Sequence, residues 1–161
     1  MRKIRFVTFL LVMVSISLAQ FSAGQKSLDG GVAWASNSND GEKTSTQLTV
    51  DPSLSYFIMN NISIDLTYIY YKYEPENEDS EEMTAFGAGA TYYLGNLYFG
   101  GSWLDPNADG EEDTYAAAEV GYLYPLSQHV YLDLGGVYLM GLGDNKRETI
   151  GFGFGVRCFF P

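Results

Sequence analysis

Between residues 62 and 73 the chain reads Ile-Ser-Ile-Asp-Leu-Thr-Tyr-Ile-Tyr-Tyr-Lys-Tyr, with an apolar side chain at almost every second position. That period belongs to an extended strand whose two faces meet different surroundings. The same alternation, bounded by turn residues, predicts strands over residues 28–36, 45–57, 62–73, 83–94, 97–104, 114–124, 130–141 and 148–160. Between these strands no stretch carries a helical period, so the fold class is all-β with eight antiparallel strands. The intervening links alternate in length: residues 37–44, 74–82, 105–113 and 142–147 are long, and 58–61, 95–96 and 125–129 are short. Up-and-down transmembrane barrels alternate in this way, with short periplasmic turns, long outer loops and both termini on the short-turn side.

The acids follow the same division, with fourteen of the twenty in the four long links and none in the three short ones. Aromatic residues crowd the short turns at Tyr56-Phe57, Tyr92-Tyr93 and Tyr122-Leu123-Tyr124, where they predict an interfacial girdle. Trp34 and Trp103, just before long links, would help form a second girdle.

One face of the predicted strands carries Leu48, Val50, Leu54, Ile62, Ile64, Leu66, Phe86, Leu97, Phe99, Leu132, Leu134, Phe152, Phe154 and Val156. The other carries glycine, serine, threonine and alanine, with Asp51, Asp65, Glu119, Asp133 and Arg157 interspersed. Period alone also fits a soluble lipocalin-like carrier, which would hide the greasy face inside. Composition separates the two: a water-facing sheet needs several Lys and Glu per strand, whereas small residues are what a narrow eight-stranded interior can hold. The greasy face is therefore expected to meet lipid. The four interior carboxylates need partners, and Arg157 is expected to bridge at least one of them.

The amino terminus adds a location. Three bases within Met1-Arg2-Lys3-Ile4-Arg5 precede an apolar run from Phe6 to Leu18, too short to span a bilayer as a helix, followed by small residues at Ala19 and at Ser22-Ala23-Gly24. This reads as a secretory signal peptide within residues 1–24, cleaved after Ala19 or after Gly24, ahead of a barrel domain over 25–161. Removing it leaves six bases against twenty acids, a net charge of −14, which argues against nucleic acid as a partner. The single cysteine, Cys158, excludes an internal disulfide.

These features resemble the small eight-stranded outer-membrane β-barrel domain family of Gram-negative bacteria, which includes OmpX-like and opacity-type proteins. The most specific segments are Val50-Asp51-Pro52-Ser53-Leu54-Ser55-Tyr56-Phe57 with Asn60-Asn61-Ile62-Ser63-Ile64-Asp65-Leu66, and the final strand Gly151-Phe152-Gly153-Phe154-Gly155-Val156-Arg157-Cys158-Phe159-Phe160. The resemblance covers the whole mature chain and implies location in the cell outer membrane. It further implies contact with outer-membrane lipid and lipopolysaccharide, and insertion by the outer-membrane assembly machinery. Family members usually end on the aromatic itself, whereas Pro161 follows it here. Because the family shares a fold rather than a task, the resemblance speaks less to activity.

Candidate chemistry is sparse. Asp105-Pro106-Asn107-Ala108-Asp109-Gly110-Glu111-Glu112-Asp113 has the alternating oxygens of a calcium loop, with Asp105, Asn107, Asp109 and Asp113 as ligands. The bidentate Glu of an EF-hand is replaced by Ala116, and a solvated acidic hairpin explains the stretch as well. No other cofactor is expected. Residues 74–82 pack six carboxylates into nine positions and read as a self-repelling outer tip. Lipid-modifying barrel enzymes need a histidine with a serine and an acid, but the only histidine, His129, occupies a short turn without an adjacent acid. A non-enzymatic, monomeric barrel is expected, serving as a structural, adhesion or envelope-integrity component. The alternatives are a narrow porin-like pore for protons or small cations, and a soluble carrier.

The face assignment yields a direct expectation. An arginine at the lipid-facing midplane costs about 2–4 kcal/mol, so Phe154→Arg should lower the yield of heat-modifiable, membrane-inserted protein far more than Gly153→Ser. Equal tolerance of the two would contradict the assignment.

Overall fold

The structure is a computed structural model that describes residues 21–39, 42–75, 79–106, 114–142 and 148–161, with side chains at 33–45 outside the description. Ten strands follow in chain order: β1 (Lys26–Gly30), β2 (Val32–Asn39), β3 (Glu42–Val50), β4 (Ser53–Met59), β5 (Ile62–Pro75), β6 (Glu81–Leu94), β7 (Leu97–Pro106), β8 (Tyr115–Pro125), β9 (Val130–Gly141) and β10 (Glu148–Phe160). They make eight staves, because β1 and β2 are one stave interrupted at Gly31, and β3 and β4 are one stave interrupted at Asp51-Pro52. Pro52 lacks an N–H for the ladder, which accounts for the second break. The registers Lys26↔Tyr56 and Val32↔Val50 keep the two broken staves paired on both sides of the interruption.

Antiparallel pairing of consecutive staves, together with β1 against β10, closes the sheet. This is the up-and-down barrel expected from the alternation, and it answers the demand that backbone groups in hydrocarbon find partners within the chain. The seam between first and last staves is partial. Pairing runs from Lys26↔Phe160 to Gly30↔Val156 and stops, while β2 continues upward against β3. Gly155 lies so close to the first stave that an added Cβ would stand 2.7 Å from the carbonyl oxygen of Gly30.

The expected long link at 37–44 is corrected. The strands run on to Asn39 and Glu42, leaving residues 40–41 as the link. Polar residues here extend a hairpin that the apolar alternation does not mark, because a strand beyond the lipid needs no greasy face. At the opposite end, two-residue turns join Met59 to Ile62 and Leu94 to Leu97. Asn61 and Gly95 both adopt φ of 63° there, a left-handed conformation that those residue types tolerate.

Side-chain direction follows the period. Leu54, Ile64, Leu66, Phe86, Phe99, Val120, Leu134, Ile150, Phe152 and Phe154 lie exposed on the outside. Ser27, Ser55, Ser63, Thr91, Asp133 and Arg157 are buried inside. Among the described residues, outward charges appear only near the rims: Lys72 of β5 contacts Glu74 and the cross-strand Glu82 at 2.8 and 3.4 Å, and Glu148 opens β10. The thirteen residues of β10, at about 3.3 Å each and tilted by about 40°, rise roughly 30 Å, enough to cross the apolar band of an outer membrane. The chain is an integral outer-membrane β-barrel on this geometry.

Interior glycines are not equivalent. A Cβ on Gly121 would collide with the ring and hydroxyl of Tyr98, whereas one on Gly153 would meet nothing within 4 Å. Gly121→Ala is therefore expected to lower the urea midpoint of the folded barrel in lipid vesicles, by about 1–3 kcal/mol of stability, and Gly153→Ala to leave it nearly unchanged. Equal effects would contradict the inward packing of Tyr98.

Candidate functional site

The lumen is built in layers from the short-turn end upward. Its floor is an apolar cluster of Phe21, Phe57, Tyr93, Tyr98, Leu123 and Phe159, with Tyr131 packed against it. Each strand end contributes by alternation, since Tyr56, Tyr92, Tyr122 and Phe160 face out while their neighbours Phe57, Tyr93, Leu123 and Phe159 face in. The aromatic repeat read as a girdle is thus corrected to a girdle and a floor together. In an extended strand two consecutive aromatics must point to opposite faces. Trp103 lies exposed toward the other rim; the side chain of Trp34 lies outside the description.

Directly above the floor sits Arg157, with its side chain 9% exposed. Its Nη2 lies 2.8 Å from Asp133 Oδ2 and its Nε 3.3 Å from Asp29 Oδ2. Nη1 donates to the Tyr93 hydroxyl, and the guanidinium carbon lies 4.9 Å from the centroid of the Tyr98 ring. Tyr98 in turn donates its hydroxyl to Asp133 Oδ1 at 2.7 Å. Two carboxylates, the Tyr93 hydroxyl and the Tyr98 ring face surround the guanidinium, and charge pairing makes it tolerable there, although the facing Nε and Asp29 Oδ2 are within ion-pair distance without a hydrogen bond.

The other interior carboxylates are held by neutral groups. Asp65 accepts from Ser63 and Thr91 hydroxyls, each at 2.7 Å. Glu119 has Ser102 at 3.5 Å, and Asp51 accepts the Gly31 N–H at 2.6 Å where the first two staves break. Asp51, Asp65, Glu119, Asp133 and Arg157 therefore all line one cavity of about 480 Å³. Five carboxylates, with Asp29, share it with one guanidinium. Toward the outer strand ends its wall turns apolar at Ile69, Leu104, Val137 and Leu139. Phe152 and Phe154 also line it although the residues are 88% and 72% exposed; they lie at the level where β10 has no paired partner on the first stave, beyond Gly30↔Val156.

Asp29 was missed in the sequence because the first strand is short and broken, so its inward face has too few positions to read. Its position opposite Arg157 comes from the Asp29↔Arg157 register, which appears only when the first and last staves pair. Tyr93 and Tyr98 were missed as polar partners because tyrosines near turns read as interfacial. Of the candidate calcium ligands, Asp105 lies exposed near the end of β7, while Asn107, Asp109 and Asp113 lie outside the described residues. His129 is exposed in the 126–129 turn, where its carbonyl accepts the Phe159 N–H at 2.8 Å. Cys158 is a half-buried free thiol beside the floor, in register with Leu28 and Val130.

No family model and no curated protein matches the chain. Among solved structures it is similar to the outer membrane protein OprG from Pseudomonas aeruginosa, with 14% identity over 87% of this chain and 97% of that one, at a TM-score of 0.48. It is also similar to outer-membrane expressed OmpT of Vibrio cholerae, with 16% identity over 84% of this chain and a TM-score of 0.38. The loop L8 deletion mutant of that OmpT matches with 18% identity over 84% of this chain, again at 0.38. The chain spans about half the length of the Vibrio proteins, 52% and 49% respectively.

The Arg157 cluster can be tested by unpairing it. Arg157→Met strands two buried carboxylates and is expected to cost about 3–5 kcal/mol of unfolding stability in lipid vesicles. Adding Asp29→Asn and Asp133→Asn should recover most of the loss. An unchanged midpoint for Arg157→Met would contradict the pairing.

Proposed function

We propose that the protein is a non-conducting outer-membrane barrel, a structural, adhesion or envelope-integrity component that presents acidic links at the cell surface. The observation that carries this reading is the continuous floor: six buried side chains, five of them from strand ends around the wall, fill the short-turn end beneath Arg157. An eight-stave barrel is barely wide enough to enclose its own side chains, and here aromatic rings occupy the narrow end. Among the described residues, the long-link acids Glu74, Asp79, Glu81, Glu82 and Asp105 lie exposed toward the outer strand ends, which supports a negative, solvated rim. Lipid, lipopolysaccharide and the assembly machinery are the partners this reading gives it, and it acts as a monomer without a catalytic role. The lone histidine, exposed in the short turn at the floor end, supports that last point.

The alternative of a proton or small-cation path has the surplus of interior carboxylates in its favour, and the two readings differ in one measurement. Purified protein in a planar bilayer should give no steady conductance, whereas a Tyr93→Ala, Leu123→Ala double variant, with the floor hollowed, should give one. A steady cation-selective current from the wild-type protein would overturn the closed-floor reading.

A further inference from the structure

One member of the floor comes from no strand. Phe21 precedes β1, yet it is 3% exposed. Its ring centroid lies 4.5 Å from Phe159, 4.8 Å from Tyr93, 5.4 Å from Phe57 and 6.4 Å from Tyr131. Four inward rings from four different staves thus surround it. Without Phe21 they would face one another across a gap.

The backbone around it is tied as firmly as the ring. Phe21 N–H donates to Asn61 Oδ1 at 3.1 Å, and Asn61 N–H donates back to the Phe21 carbonyl at 2.9 Å. Ala23 N–H donates to Asn60 Oδ1 at 3.1 Å. Gly24 N–H donates to the Phe57 carbonyl at 2.8 Å, and Phe57 N–H to the Gln25 carbonyl at 2.9 Å. Gly24 has φ of 87°, a bend that lets the chain turn from β1 toward the barrel axis. Asn60 and Asn61 therefore serve twice, forming the tight β4–β5 turn and receiving the segment before β1.

These contacts bear on where the export signal ends. Small residues stand at the two positions a signal peptidase reads for cleavage after Ala19, with Ser17 and Ala19, and also for cleavage after Gly24, with Ser22 and Gly24. The two outcomes are structurally opposite. Cleavage after Gly24 would discard Phe21 and every bond made by Phe21, Ala23 and Gly24. Cleavage after Ala19 retains them all. We propose that the signal ends at Ala19, that the mature chain begins at Gln20, and that Phe21, its second residue, is the stopper that completes the barrel floor. The proposal rests on the reading of an exported outer-membrane barrel. It adds that processing sets the floor's final shape.

The intact mass of protein extracted from outer membranes tests the processing site without any substitution. The expected mass is that of residues 20–161. Attack of the freed Gln20 α-amine on its own side-chain amide, forming the lactam and releasing one ammonia, gives an equally supporting mass. A start at Gln25, any start beyond Phe21, or an unprocessed chain overturns the proposal. For the stopper, Phe21→Ala should lower the temperature at which the folded gel band converts to the unfolded one by about 10 °C, with exposed Ser22→Ala as an unchanged control. If Phe21→Ala fails to assemble, Phe21→Leu, which keeps apolar bulk, should assemble with a smaller downward shift. A Phe21→Ala or Phe21→Leu transition equal to wild type overturns the stopper role. Failure of the non-conducting reading would instead appear as a wild-type current and would leave the mass unchanged.

Discussion

Backbone groups that enter hydrocarbon have no water to bond, and this constraint organises the whole molecule. It requires a closed sheet, and closure with eight staves leaves an interior little wider than its own side chains. One face of every stave must then be apolar and the other small. Ile150, Phe152 and Phe154 outside, with Gly151, Gly153 and Gly155 between them, show both demands met within one strand. Where closure is incomplete, between β2 and the upper part of β10, those phenylalanines are the most exposed large apolar residues among those described.

The narrow end shows how a two-residue period serves two purposes. Tyr56-Phe57, Tyr92-Tyr93 and Phe159-Phe160 each send one ring to the membrane interface and one to the axis. The inward rings meet over Phe21 and form a buried apolar floor. On that floor the Arg157 charge is balanced by Asp29 and Asp133 and flanked by two tyrosines. Apolar packing and charge pairing are therefore one construction, with Tyr93 and Tyr98 taking part in both. The carboxylates higher in the lumen, held by hydroxyls and one backbone N–H, line the open cup above it.

Much of this was legible in the chain because its signals are local. The spans 130–141 and 148–160 coincide with β9 and β10, since clean alternation runs to turn residues at both ends. The break at Asp51-Pro52 and the hairpin through residues 37–44 were not read. The first depends on a missing N–H within an otherwise regular strand, and the second on polar strands beyond the lipid. Of the lumen cluster, Asp65, Glu119, Asp133 and Arg157 on regular inward faces were readable by counting, and Asp51 by carrying the same count through the break. Asp29 was not, because its strand is only five residues long. Phe21 was hidden for a different reason: no period extends to a residue outside the strands, and only the three-dimensional convergence of turns reveals where its ring goes.

In the last strand, even-numbered side chains face lipid and odd-numbered ones face the axis. Nitroxide labels at single cysteines from 150 to 156, in a Cys158→Ser background and in lipid vesicles, test that alternation most directly. Relaxation by oxygen is expected to be strong at 150, 152, 154 and 156 and weak at 151, 153 and 155, with a period of two residues. A flat profile, or strong relaxation at the odd positions by a water-soluble nickel complex equal to that at the even ones, would contradict it.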